Sequence, residues 1–323
     1  MIRETNYILK IATRGKTVID ILGYLKLRRK IKPMDDEWVF VCPAHSGDTY
    51  ILCRLSQAFI QKYGGSFSVV TPYAYSSIPR LFPSISKILV YKKFSSLAIS
   101  KFFMDFITEN NKDKIRRRPI WGYPGELFVP TAGYKDIRFI DPFKMFLGLD
   151  PEAKLIEPTI SDELRDRAAK KFQNYNLPIG KTVIFAPYAN SSPTLSEKNW
   201  VTIVERLRIA GLYPVTNVGK NEAPLPGTTG IMIPFDEVLP FSELAGHVVS
   251  IRSGFCDVLS TSKSKLTIIY PQERFCRTSL YDYYSLRLNG LVGEKTELQE
   301  LIYDSSEDCT NIIKQTINFH VKN

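Results

Sequence analysis

Metal-binding side chains are scarce in this sequence. Its 323 residues include three histidines (His45, His247, His320) and five cysteines (Cys42, Cys53, Cys256, Cys276, Cys309). No two histidines share a ligand spacing, no CxxC occurs and the cysteine count is odd. Neither a zinc centre nor a disulfide framework is therefore expected. Long apolar runs are also missing: none approaches the roughly 18 residues of a membrane span. Met1 to Ala12 lacks the apolar core and small-residue cleavage site of a secretory signal. The phosphate and nucleophile motifs GxGxxG, GxxxxGK[ST] and GxSxG are absent, which counts against a dinucleotide oxidoreductase, a P-loop enzyme and an α/β-hydrolase. A cytoplasmic, soluble enzyme without a metal or other cofactor is the expectation.

What is present suits two α/β domains. The chain is 44% hydrophobic and long enough for two cores. In the first half, β-rich runs fall at 38–42, 67–71 and 88–91. A turn at 43–48 and a helical pattern from Thr49 to Tyr63 lie between the first two, and Gly64-Gly65 stops the helix. A helix is expected at 99–107, loops rich in Pro and Gly at 118–134, and a short helix at 141–148. Glu157-Pro158-Thr159-Ile160 reads as a packed linker, and Ser161 caps a helix at 162–173. Apolar strands then recur at 183–186, 213–217, 230–233, 248–251 and 266–270, with helices at 199–210 and 241–246 between them. Short strands alternating with helices require parallel sheets covered on both faces. The reading is two Rossmann-like domains, 1–157 and 158–323, facing across a cleft, with room for the last helix to pack back on the first domain.

The net charge of +10 is unevenly placed. Arg3, Lys10, Arg14, Lys16, Lys26, Arg28, Arg29, Lys30 and Lys32 face only Glu4 and Asp20 in the first 32 residues. Ile19, Ile21, Leu22, Leu25 and Leu27 form an apolar stripe among them. A second basic run spans Lys112 to Arg118. A solvated face and a surface for weak contact with anionic lipid both fit. Nucleic acid is disfavoured, because neither run sits in a recognisable binding motif.

Three segments at expected strand ends carry groups suited to chemistry. His45-Ser46-Gly47-Asp48 follows the first strand, where ligands bind in open α/β sheets, and Asp48 can project into the cleft there. Ser191-Ser192, with Lys198 at the following helix start, offers hydroxyls, N–H groups and an ammonium to phosphate oxygens. Arg252-Ser253-Gly254 follows an apolar strand, and its small residues allow a diphosphate to approach the backbone. Each has a purely structural alternative: a capped turn for 45–48, a Ser/Thr-rich helix cap for 191–198, and a tight strand-to-helix junction for 252–259.

These segments resemble those of the heptosyltransferase-type glycosyltransferases. Gly47-Asp48 looks like the Gly-Asp of that family, and Phe185 through Lys198-Asn199-Trp200 is similar to its phosphate-binding loop and Lys-x-Trp helix start. Phe241-Ser242-Glu243-Leu244-Ala245 resembles its Ser-Leu-x-Glu-Leu segment, and Ser253-Gly254 the Ser-Gly of its Asp-Ser-Gly-x-x-His motif. In that last motif the family's Asp is Arg252 here and its His is Asp257. The likeness spans roughly residues 38–271 and points to a diverged capsule or O-antigen sugar transferase. It implies the GT-B architecture and an inverting transfer from a nucleotide-sugar donor to a glycan or lipid-linked acceptor. Asp48 would be the base, with His45 and Gly47 on the acceptor side. Ser191, Ser192, Lys198, Arg252, Ser253 and Gly254 would hold the donor without a metal, in keeping with the absence of a DxD motif. Two other readings stay open: a sugar-nucleotide epimerase or hydrolase on the same fold, and a non-catalytic nucleotide- or glycan-binding subunit.

Overall fold

A computed structural model of the chain describes residues 37–42, 45–91, 137–189, 192–275, 278–304 and 309–321. The basic amino-terminal segment, the 112–118 basic run, the helix expected at 99–107, the loops at 118–134 and Ser191 lie outside the described residues.

In the first half, β1 (Glu37–Val41), β2 (Ser66–Pro72) and β3 (Ile85–Tyr91) pair in parallel in the order 1-2-3. α1 (Ser46–Tyr63) connects β1 to β2, burying Leu52, Leu55 and Phe59. It ends at Gly64, whose φ of 68° needs a residue without a β-carbon and lets its N–H reach the Ile60 carbonyl at 2.8 Å. Two single 3₁₀ turns at 73–75 and 78–81 connect β2 to β3. After α2 (Asp141–Phe146), residues 157–160 carry no helix or strand, with Glu157 and Thr159 exposed and Pro158 and Ile160 half-buried. Arg54, buried on α1, donates to the Ile156 and Leu291 carbonyls at 3.0 and 2.7 Å and pairs with Glu157 at 3.2 Å.

The second half begins with α3 (Asp162–Asn174), capped by Ser161 through the Leu164 N–H. Then follow β4 (Thr182–Ala186), α4 (Glu197–Ile209), β5 (Tyr213–Asn217), β6 (Thr229–Ile231), α5 (Val238–Ala245), β7 (Gly246–Ile251), α6 (Gly254–Leu259) and β8 (Lys265–Pro271). A small antiparallel ribbon, β9 (Arg274–Phe275) and β10 (Thr278–Ser279), leads into α7 (Leu280–Tyr284), β11 (Glu297–Tyr303) and α8 (Thr310–Val321). The main sheet is all parallel in the order 11-8-7-4-5-6. All five residues of β4 are buried, as a strand covered on both faces requires. One apolar core runs continuously from Trp38, Phe40, Phe59 and Phe82 to Phe241, Leu259 and Leu291, so it serves both sheets. A second core, with Phe185, Trp200, Ile203 and Ile312, backs the main sheet.

The last helix does not fold back on the first sheet as anticipated. α8 packs on α4, β8 and β11, because Ile312 and His320 are buried there. His320 Nδ1 lies 3.1 Å from His247 Nδ1, and its Nε2 lies 3.0 Å from Thr267 Oγ1. Burial, the neighbouring His247 and Lys265 push the His320 pKa down to about 3, and burial and Lys265 lower that of His247. Both rings are therefore neutral in the fold, whereas an unfolded histidine takes up a proton near pH 6.5. Their stabilising contribution is complete above that pH and is lost as the pH falls toward 3. His320→Gln is expected to flatten the loss of melting temperature between pH 6.5 and 4. A parallel loss in parent and variant would show that α8 is not held through this ring pair.

Candidate active site

The strand order locates the site. From β4 the chain steps outward through β5 and β6, then returns to the other side of β4 and continues through β7, β8 and β11. The topological switch point thus lies between β4 and β7, which pair from Thr182↔Gly246 to Ala186↔Ser250. Ligands in such sheets bind outside the carboxyl ends of the strands at this point. The loops leaving those two ends are 187–196 and 252–253. They carry the two donor segments singled out above.

On the β4 side, Ser196 rather than Asn199 starts the helix, its Oγ accepting the Asn199 N–H at 3.3 Å. The incoming loop is anchored by buried Leu195 and by Trp200, whose indole N–H donates to Thr194 Oγ1 at 2.9 Å. Lys198 therefore lies in the first turn of α4, exposed and without an ion pair among the described residues. A cation at a helix N-terminus is electrostatically misplaced unless an anion joins it. Ser192 is half-buried in the same loop.

On the β7 side the expectation for Arg252 needs correction. Its guanidinium turns inward and is 5% exposed. Nη2 donates to Asp257 Oδ1 at 2.7 Å and Nη1 to Asp257 Oδ2 at 3.2 Å; Nε donates to the Tyr284 carbonyl at 3.1 Å and Nη1 also to the Ser253 carbonyl. The group lies 5.3 Å from the centre of the Tyr284 ring. Burial alone would depress this cation, but the Asp257 carboxylate outweighs it and holds the proton more tightly than usual. With its donors engaged in this way, Arg252 is not presented to a diphosphate. The backbone at Ser253 and Gly254 is also occupied, because α6 starts against the start of α1. A β-carbon added to Gly254 would overlap Ser46 Oγ and lie 2.8 Å from the Gly47 nitrogen. A ligand on the β-carbon side of Gly254 would meet Ser46 and Gly47.

That contact brings the first-half segment into the same place. Gly47 and Asp48 belong to the first turn of α1, not to a turn before it, since the helix begins at Ser46. A β-carbon on Gly47 would overlap Asp257 Oδ2 and come within 3.3 Å of the Gly254 Cα. Glycine at both positions is what allows two helix starts to meet. Asp48 is 5% exposed, and its Oδ2 accepts the backbone N–H of exposed His45 at 2.9 Å. Burial raises its pKa to about 8, with nearby Asp257 adding to the rise while the His45 N–H and Arg252 oppose it. Asp48 is thus a buried carboxyl beside the contact of the two helix starts, rather than one projecting freely into a cleft. Around it, Tyr50 Oη lies 2.9 Å from Thr261 Oγ1, and Phe235 touches both Tyr75 and Phe255, closing the seam between the halves.

The structure therefore joins segments 45–48 and 252–257 directly and sets Lys198 on the neighbouring strand-end loop. Ser46 and the Arg252–Asp257 pairing were missed at the level of sequence. Opposite charges five residues apart across a strand-to-helix junction were the available signal.

Known structures share this arrangement of two parallel sheets. The chain superposes on the Escherichia coli ADP-heptose lipopolysaccharide heptosyltransferase II with a TM-score of 0.60 over 88% of this chain and 98% of that one, at 11% identity. The chain has the heptosyltransferase fold. A family 9 glycosyl transferase from Veillonella parvula gives a TM-score of 0.58 at 12% identity, over 90% of this chain and 95% of that one. Escherichia coli heptosyltransferase WaaC with ADP gives 0.53 at 14% identity, over 88% and 99%. No family model matches the sequence, and no curated protein matches it significantly. The architecture expected from the two βαβ rhythms, GT-B, is the one observed. No described helix is long and apolar enough to cross a membrane.

Proposed function

We propose that the protein is a glycosyltransferase that moves a sugar from a nucleotide-diphosphate donor to a hydroxyl of a bacterial surface-glycan precursor. The observation that carries this reading is the contact of Gly47, one residue before Asp48 on the helix that follows β1, with Gly254 and Asp257 on the helix that follows the switch-point loop of the other sheet. The structures it resembles include one bound to ADP and one bound to a fluorinated ADP-heptose. In this reading residues 158–323 bind the donor and residues 1–157 bind the acceptor, with His45 and Gly47 beside it. The Asp48 carboxylate takes the proton of the acceptor hydroxyl as its oxygen bonds to the anomeric carbon. The bond from that carbon to the diphosphate oxygen breaks on the opposite face, which inverts the configuration. Lys198, the Ser192 hydroxyl and, once the halves part, the Ser253 and Gly254 backbone carry the charge of the departing diphosphate. Lys198 is an exposed cation at this site, and the proposal includes transfer without a metal. The basic amino-terminal segment would supply a weak contact with anionic membrane near a lipid-linked acceptor.

Screening nucleoside diphosphates by thermal shift in EDTA tests the donor half of the proposal. A ligand at about 100 times its dissociation constant adds about 2.7 kcal/mol of apparent stability. At least one nucleoside diphosphate is expected to stabilise the parent chain. Lys198→Ala is expected to weaken that binding by about 1.5–3 kcal/mol, the range of a charge-assisted hydrogen bond. If no nucleoside diphosphate stabilises the chain, the donor assignment fails. Stabilisation only after manganese or magnesium is added would overturn the metal-free part alone.

A further inference from the structure

Asp257 stands where the resembled motif has histidine, and its partner Arg252 stands where that motif has aspartate. The two residues face each other as a bidentate pair at 2.7 and 3.2 Å, with side chains 5% and 2% exposed. Asp257 Oδ2, the oxygen that accepts from Arg252 Nη1, also lies over Gly47, one residue before Asp48 on the other half of the molecule. Three charged groups therefore share one buried seam: Arg252, Asp257 and Asp48. If Asp48 ionises, the set carries a net negative charge out of water; if Asp48 keeps its proton, the set is neutral. Buried like charges favour the neutral arrangement.

We propose that Asp257, fixed by Arg252, is a positioning residue that reaches across the seam and sets when Asp48 releases its proton. The groups facing Asp48 from each packed element are few. His45 and Thr49 lie on its own helix, and Cys42 at the end of β1 accepts from Thr49 Oγ1 at 3.5 Å. Tyr75 contributes from the turn after β2; burial, the Asp48 charge and Cys42 all raise its own pKa. From the second half come Asp257 and Arg252. Burial raises the Asp257 pKa overall, although its partner Arg252 and also Arg54 draw it down. A charge pair of this polarity makes deprotonation of Asp48 depend on the distance between the halves. Separating them removes both the Asp257 charge and the burial that hold the proton.

This inference draws its catalytic meaning from Asp48 as the base, but its test needs neither donor nor acceptor. Melting temperature is measured from pH 4.5 to 9 for the parent and for Asp48→Asn, in three full-length backgrounds. The first is the native pair, the second the exchanged pair Arg252→Asp with Asp257→Arg, and the third the uncharged pair Arg252→Met with Asp257→Asn. With the native pair, the advantage of Asp48→Asn grows as pH rises and levels off near pH 8. With the pair exchanged or removed, it is expected to level off at least one pH unit lower, a tenfold change in proton affinity. The exchanged pair should show the larger shift. If the exchanged chain does not fold, the uncharged pair alone decides. The same levelling-off point in every folded background would overturn the inference, as would a shift to higher pH. Loss of turnover in Asp48→Asn without this pH shift would retain the base and reject only the role of Asp257.

Discussion

Arg252→Ala is expected to lose about 3–5 kcal/mol of stability, the largest loss from any single change in the site. The reason is the group left behind rather than the group removed. Asp257 has a side-chain exposure of 2%, and its two oxygens are matched to two guanidinium nitrogens. Without them it must ionise unpaired in an apolar seam or take up a proton, and either course destabilises the fold. Replacing both partners by uncharged residues of similar volume should cost far less, because no buried charge remains. Urea unfolding of the single and double variants at neutral pH measures both. A loss under about 1 kcal/mol for Arg252→Ala would mean that the guanidinium faces the cleft, as the sequence had suggested, and would return it to the donor site.

The second large effect is on rate. Asp48→Asn is expected to lower turnover by about 10²–10⁴-fold, the usual consequence of losing a general base. Asn keeps an oxygen for the His45 N–H that Asp48 Oδ2 now accepts at 2.9 Å, so the start of α1 should survive. The pH dependence gives a further check. With Asp48 raised to about 8 by burial in the unliganded protein, kcat/KM of the parent should climb with pH and level off above that point, and the variant should lack this limb. Stability moves the opposite way. The folded carboxyl keeps its proton up to about pH 8, whereas the unfolded chain releases it near 3.8, so the parent loses stability as pH rises between these values. The variant should melt like the parent near pH 4 and above it near pH 8. Near-normal turnover in Asp48→Asn would remove it as the base and make His45 the next residue to test.

The fold was legible in the sequence wherever burial on both faces left a continuous apolar run. β4, β5, β7 and β8 fall within a residue or two of where Val183, Tyr213, Val248 and Leu266 begin such runs. β11 was not legible, because Glu297-Leu298-Gln299-Glu300 reads as a polar surface segment. Its acids are satisfied only in three dimensions: Glu300 accepts from the Tyr270 hydroxyl at 2.6 Å and the Leu286 N–H at 2.8 Å. The packing of α8 was not legible for a related reason, since its buried face includes Thr316 and His320 beside Ile312. Of the site, the order of strand-end segments was readable, and so was the place of Asp48 beside Gly47. The direction of Arg252 was not. A basic residue after a strand suits a phosphate and an internal ion pair equally well, and only the chain trajectory through α6 brings Asp257 round to meet it.

The shared core bears on how parts of this protein could be exchanged with those of a relative. A chimera joined at the irregular crossing near residues 157–160 would seem natural from the two sheets alone. Yet Arg54 on α1 holds the crossing itself and, through Leu291, the far side of the second half. Gly47 packs against Asp257 and Gly254, Gly254 against Ser46 and Gly47, and Tyr50 Oη meets the hydroxyl of Thr261. A transplanted second half lacking these partners would meet α1 with a β-carbon where none fits and a buried guanidinium with too few acceptors. The unit that can be exchanged is therefore the second half together with the cleft-facing surface of α1.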